Sequence, residues 1–466
     1  MVFSTIIFLF RFLPITLALY YLAPAKLKNT VLFVCSLVFY CWGEVRFFPV
    51  MLALILINYL CGLGLEAFDA KPGVRKVLLL VALAASLGML FYFKYANFVL
   101  RSINSLLGTG FAAIQGISVL PLGISFYTFQ TLSYTIDVYR QDAPAQRNMV
   151  SFGAYVTMFP QLVAGPIVRY KDVAAELIHR TNTASAFAAG ARRFTVGLAK
   201  KVLLANSIGA LWDAELAAQS AGTLTAVGGW LGIAAFGFQI YFDFSGYSDM
   251  AIGMGQMLGF HFPENFNYPY TAASVTEFWR RWHISLTTWF REYLYIPLGG
   301  SRKGTWRTVR NIFLVWFCTG FWHGASWNFI LWGLHFFVWL MLEKYLLRDF
   351  LQKLPSWLRH FYTLVVVFVG WGVFAMEDLT VCVRYFKTCF GSGTLWSAAD
   401  GYYLIAYGLT LLILTVGSTR LPRKVWDRLP ERTRDLLGPL LMAAGLVICT
   451  AYLVDGSYNP FLYFRF

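Results

Sequence analysis

Acidic residues are scarce in this chain: 23 Asp and Glu stand against 38 Lys and Arg, and only 13% of its 466 residues are charged while 58% are hydrophobic. That composition excludes a soluble domain of this length, which needs far more polar surface, and demands a bilayer as solvent. The alternating segments of about 10 residues that mark a membrane β-barrel are missing as well. Cysteine is sparse and unpaired. Cys35, Cys41, Cys61, Cys318, Cys382, Cys389 and Cys449 lie mostly in apolar runs with no CxxC among them, so they read as small core residues and not as a disulfide frame or metal site. There is no HExxH helix to hold zinc and no GxSxG serine elbow. The net charge of +15 comes with no nucleic-acid motif. The first 24 residues have no basic leading region, and Arg11 interrupts their apolar run, so they read as a retained helix and not as a cleaved signal. Without a linker, repeat or low-complexity tract, residues 1–466 read as a single membrane-embedded domain.

What is present is a succession of apolar runs, at about residues 3–22, 30–42, 48–65, 77–99, 117–139, 149–168, 226–259, 311–342, 361–376, 402–417 and 437–454. They predict an all-α polytopic membrane protein with roughly 11 to 13 transmembrane or re-entrant helices. The basic residues gather in short loops at 71–76, 299–310, 344–359 and 420–434, which the positive-inside rule assigns to the cytoplasm, with an attraction to anionic lipid. Lys94 in the fourth run reads as a side chain snorkelling from a helix end, and His179 as a solvated surface residue. The fifth run breaks at Pro121 and Gly123, then carries Ser125, Thr128, Gln130, Thr131 and Ser133, so it faces protein or a cavity and not lipid.

The run from Asn311 to Leu342 lacks Asp, Glu, Lys and Arg yet contains two histidines. As one helix it would extend to roughly 48 Å, too long for a hydrocarbon core of about 30 Å. A break at Gly320 to Gly324 is expected, leaving His323 at a helix end, where an ionisable group in the membrane is a functional candidate and the plainer reading is a packed, hydrogen-bonded histidine. Residues 274–297 predict one interfacial amphipathic helix: Trp279, Trp282, Leu286, Trp289 and Tyr293 repeat at 3, 4, 3, 4, and Glu277 and Arg281 form an i,i+4 pair. His283 lies off that stripe, and Arg280 and Arg281 suit the phosphates of a cytoplasmic donor. Asp243 and Asp249, six residues apart, do not share a helix face, so they read as structural anchors beside a helix break at Gly246. These patterns give a polytopic protein with a buried base near neutral pH and leave the reaction open.

The stretches FDFSGYSDMAIGMGQMLGF (242–260), FPENFNYPY (262–270), EFWRRWHISLTTWFREYLYIPLGG (277–300) and FWHGASWNFILWGLH (321–335) closely resemble the membrane-bound O-acyltransferase superfamily, especially its bacterial branch for alginate O-acetylation. The opening MVF, the segments 121–140 and 159–172 and the closing NPFLYF fit that branch too. The resemblance implies helices ringed around a central tunnel, with His323 as the catalytic histidine and His283 as the second active-site position. It further implies acetyl-CoA as co-substrate with no bound cofactor or metal, and a donor site near Trp279, Arg280, Arg281 and the 299–310 loop. His323 would deprotonate the acceptor hydroxyl, unless an acetyl-histidine relay operates, and His283 would orient the donor or stabilise the oxyanion. Asp243, Ser245, Asp249, Glu277, Trp322 and Asn328 would be tunnel-lining or structural polar groups. The acetyl group would leave on the periplasmic side of a bacterial inner membrane, through an SGNH-type partner, onto an exported polysaccharide. The short 418–436 loop between the last two spans departs from the branch and leaves alginate and cellulose both open as that polysaccharide. Two other readings stand beside it: D-alanyl or other acyl transfer from a carrier protein to a cell-envelope polymer, and a transporter without chemistry.

Overall fold

The computed structural model describes residues 2–117, 120–456 and 462, and every regular element among them is helical. Among the described residues, seven helices are long and apolar enough to cross a bilayer: Phe48–Ala67, Pro72–Leu107, Ala184–Ala221, Trp327–Lys353, Ser356–Ala375, Ala398–Gly417 and Glu431–Asp455. Others among the expected spans, such as Lys28–Gly43, Ile124–Arg140 and Ala226–Met257, fall outside that set by length or polarity. The helices Ala398–Gly417 and Glu431–Asp455 bury only 11% of their apolar windows and turn Ile405 and Val447 outward, the face that lipid requires. The chain is thus an all-α, multi-pass membrane protein. Of the NPFLYF tail, only Leu462 lies within the described residues.

Contacts divide the chain into two compact units, Met1–Phe194 with Ser248–Pro263, and Thr195–Tyr247 with Glu264–Phe466. In the first, Phe8, Phe12, Phe39 and Phe159 meet at centroid distances of 5.3 to 6.3 Å. Helix Ile124–Arg140 starts after Gly123, whose φ of +70° and whose missing Cβ, 2.5 Å from the Leu162 carbonyl oxygen, both require glycine. The helix is buried along its length, as its polar sequence predicts. Thr131 donates to the Tyr127 carbonyl, Ser133 to the Gln130 carbonyl and Thr135 across to the Asn58 side chain. The helix Pro72–Leu107 runs on well past Lys94. Lys94 is therefore not at an end and does not snorkel; its Nζ turns inward to Ser125 Oγ at 3.3 Å. Asp249 anchors to Arg193 at 2.9 Å.

In the second unit the core is aromatic, and the long helix Ala226–Met257 contributes Phe236, Tyr241 and Phe242 to it. The helix passes unbroken through Gly246, where a break was expected; a Cβ there would lie 2.7 Å from the Gly197 carbonyl oxygen, so the glycine serves close helix packing. Asp243 forms a buried ion pair with Lys201 at 2.6 Å and accepts the Leu462 N–H at 2.8 Å, a structural anchor as the sequence suggests. The 344–359 stretch is largely helical and not a loop, continuing Trp327–Leu342 through Lys353. A short helix, Leu379–Lys387, was not anticipated; Asp378 caps it by accepting the Thr380 and Val381 N–H groups.

Candidate active site

The 274–297 stretch is two short helices, Val275–Arg281 and Ile284–Phe290, and not one. Its stripe residues Trp279, Trp282, Leu286, Trp289 and Tyr293 are all buried, so the segment is core and not an interfacial helix. The first helix is held at its N-terminus from two directions. Ser274 Oγ accepts the Glu277 N–H, and the Glu343 carboxylate accepts Val275 N–H, Thr276 N–H and the Thr276 hydroxyl at 2.6 to 2.9 Å. Glu277 pairs with Arg281 at 2.5 Å, as the i,i+4 spacing predicts. Burial alone would raise its carboxyl, but the Ala273 N–H and Arg281 outweigh it and hold the group below the usual range.

The helix stops because the chain turns sharply. Trp282 is extended, and His283 takes φ +45°, ψ 53°, a left-handed conformation uncommon for a residue other than glycine, before the second helix begins. Asn265, on the preceding loop, holds this turn. Its carbonyl oxygen accepts the Ile284 N–H at 3.0 Å, and its side-chain oxygen lies 3.1 Å from His283 Nδ1, 3.3 Å from Ser285 N and 2.9 Å from Ser285 Oγ. A backbone N–H can only donate, so the Asn265 atom facing Ser285 is the oxygen, and His283 must carry its proton on Nδ1. Nε2 is left as a bare lone pair, buried and without a hydrogen-bond partner among the described residues. The ring is 1% exposed, and burial pushes it down to about 3, which keeps it neutral. In this tautomer Nε2 accepts a proton or hydrogen bond; the expected stabilisation of an oxyanion would need a donor there.

His323 closes the helix Thr305–His323, and the next helix begins at Trp327, so the break falls where the sequence places it. The space beside Gly324 is filled by the Phe329 ring. The two histidines come together around one indole: the Trp322 ring centroid is 6.1 Å from that of His283 and 5.1 Å from that of His323. Phe244 meets His283 edge-on at 4.7 Å; Trp332 and Phe374 meet His323 at 4.9 and 5.3 Å. Asn328, fully buried, donates to the Phe374 carbonyl at 3.0 Å and ties this wall together. The result is two imidazoles in an aromatic enclosure, where proton transfer is shielded from competing water.

The remaining candidates are spread around this centre. Trp279 is one of the wall residues, against Trp316 at 4.7 Å and Phe336 at 4.8 Å. Arg281 is committed to Glu277 and to Thr271 Oγ1 at 3.0 Å, whereas Arg280 is exposed. Ser245 is buried on the long helix. Asp243 and Asp249 serve their ion pairs. His179 is exposed, as expected. Asn265, Phe244 and Glu343 were not singled out from the sequence; a polar residue flanked by aromatics in the FPENFNYPY loop was the one available sign of Asn265.

Residues 133–383, which contain both histidines and the whole enclosure around Trp322, match the family model of the membrane-bound O-acyltransferase family. The chain is 46% identical over 403 residues to a probable alginate O-acetylase of Azotobacter vinelandii, covering 86% of this chain and 80% of that protein. It is 41% identical over 497 aligned residues, the full length of both, to a probable alginate O-acetylase of Pseudomonas putida. A peptidoglycan O-acetyltransferase of Helicobacter pylori is 34% identical over 427 residues, covering 84% of this chain and 80% of that protein. An all-α membrane architecture, a paired-histidine enclosure inside the matched segment and O-acetyl-transferring relatives matched over most of their length lead to one assignment: this chain belongs to the membrane-bound O-acyltransferase family.

Proposed function

We propose that this enzyme is a membrane O-acetyltransferase that passes acetyl groups from cytoplasmic acetyl-CoA across a bacterial inner membrane, for O-acetylation of an exported polysaccharide through a periplasmic acceptor protein of SGNH type. The observation that carries the chemistry is the pair of imidazoles flanking Trp322. The names of these relatives favour acetyl as the group and alginate or a related polymer as its destination. Exposed Arg280 and the basic 299–304 turn suit the donor's phosphates. His323 takes the proton of the acceptor hydroxyl as its oxygen attacks the thioester carbonyl. The tetrahedral intermediate expels the CoA thiolate, and the proton passes from His323 to that sulfur. His283 Nε2, as an acceptor, takes a hydrogen bond from an N–H of the acetyl-CoA arm and orients the donor.

The test is transfer of labelled acetyl by purified protein in nanodiscs, supplied with the periplasmic acceptor. His323→Ala should lose about 10²-fold or more in turnover, the scale of a lost general base, while unfolding at the wild-type temperature. Full turnover in His323→Ala overturns the assignment of the base. Transfer from an aminoacylated carrier protein but never from acetyl-CoA would replace the donor and favour a D-alanyl transferase.

A further inference from the structure

We propose that Asn265 is a positioning residue for the reaction: it fixes the His283 tautomer and brings no charge to the buried ring, so that Nε2 stays available as a proton or hydrogen-bond acceptor. The inference rests on the acyltransferase reading above and adds a residue to it.

Asn265 is 1% exposed and spends its acceptors on the turn that carries His283. Its backbone oxygen takes Ile284 N–H; its side-chain oxygen takes Ser285 N–H, Ser285 Oγ–H and His283 Nδ1–H. A non-glycine residue in left-handed conformation is strained and persists only where surroundings impose it, and these bonds are what imposes it here. The choice of an amide also matters. A carboxylate would accept the same donors, yet its charge would draw a proton onto Nε2 and remove the lone pair. Among the described residues, no counter-charge is supplied from elsewhere. Behind Phe244 on the long helix, Asp243 is neutralised by Lys201; in Val275–Arg281, Arg281 is paired with Glu277 while Arg280 points to solvent. On the loop, Glu264 is exposed, and the face toward Trp322 is aromatic. Burial is the one cause acting on the ring.

The experiment measures kcat, donor KM, unfolding temperature and the pH profile of acetyl transfer for wild type, Asn265→Ala, Asn265→Asp and His283→Ala in nanodiscs. Asn265→Ala should lower kcat about 10- to 100-fold with donor KM within about twofold, because the ring is then free to protonate Nε2 instead. Asn265→Asp keeps the shape. Its carboxylate raises the imidazole's proton affinity, so the neutral form, and with it activity, is lost at a higher pH than in wild type. The acidic limb should move up by about one pH unit or more. If His283→Ala is inactive while both Asn265 variants keep wild-type turnover and pH profile, the positioning role is wrong and the acyltransferase reading stands. If both variants lose turnover together with unfolding temperature and the limb of Asn265→Asp stays in place, Asn265 is merely structural and the proposal is overturned. Full turnover in His283→Ala would remove His283 from the site, and the proposal with it.

Discussion

At the level of single residues, the candidate site rests on groups that lie behind its walls. Lys201 and Asp243 are 4% and 2% exposed, and the Leu462 N–H completes the carboxylate's partners. Asp243 immediately precedes Phe244, the ring that backs His283, so the pair steadies the point on the long helix from which that ring projects. Removing one partner of a buried ion pair leaves the other charge uncompensated and costs about 3–5 kcal/mol, whereas replacing both with apolar groups is often close to neutral. Lys201→Met should therefore lower the unfolding temperature in detergent sharply, and Lys201→Met/Asp243→Leu should recover most of the loss. Equal losses in the single and double variants would show that the pair contributes through shape and not charge.

Helices set the position of His323. Thr305–His323 and Trp327–Leu342 form a hairpin whose backbones touch: a Cβ on Gly320 would stand 2.3 Å from the Phe329 carbonyl oxygen, and one on Gly333 2.4 Å from that of Trp316. Neither neighbour is a flexible side-chain tip, so Gly320→Ala must push the helices apart at a point one turn from His323. Displacement of about 1 Å at a catalytic group costs on the order of 10²-fold in rate. We expect Gly320→Ala to lower both unfolding temperature and acetyl transfer, and Gly88→Ala, which meets nothing within 4 Å, to leave both unchanged. Wild-type turnover in Gly320→Ala would show that the hairpin relaxes without moving His323. The hairpin was legible in the sequence because its uncharged run is too long for one crossing and glycines mark the turn. The break at His283 was not. No glycine or proline stands at Trp282 or His283, and the 3, 4, 3, 4 stripe fits an unbroken helix; hydrogen bonds accepted by Asn265, on another segment of the chain, override that local pattern. Likewise Lys201 carries no local sign that it will meet Asp243.

On the scale of the whole chain, charge and the hairpin together determine which way the site faces. Arg302, Lys303, Arg307 and Arg310 surround the start of Thr305–His323, and Lys344, Arg348 and Lys353 lie at the far end of its partner, so both ends of the hairpin carry positive charge and its tip carries His323. By the positive-inside rule, both ends are expected in the cytoplasm. Eighteen helical steps then put His323 about 27 Å from that face, most of the way through a hydrocarbon core. In the proposed reaction the cytoplasmic thioester would then reach deep to meet it, whereas an acceptor on the opposite side would have a short approach. The adjoining spans agree. Ser356–Ala375 leads from the basic end to a stretch, 376–397, in which Glu377 and Asp378 balance Arg384 and Lys387, and Ala398–Gly417 returns to the six Lys and Arg of 420–434. Ser301 and Ser392 are both exposed and lie on opposite sides in this scheme. A membrane-impermeant maleimide applied to cells with a permeabilised outer membrane should label Ser392→Cys and spare Ser301→Cys until the inner membrane is broken, with the wild-type cysteines as background control. The reverse pattern would turn the hairpin tip toward the cytoplasm and place the short approach on the donor's side, and transfer across the membrane could not then run in the proposed direction.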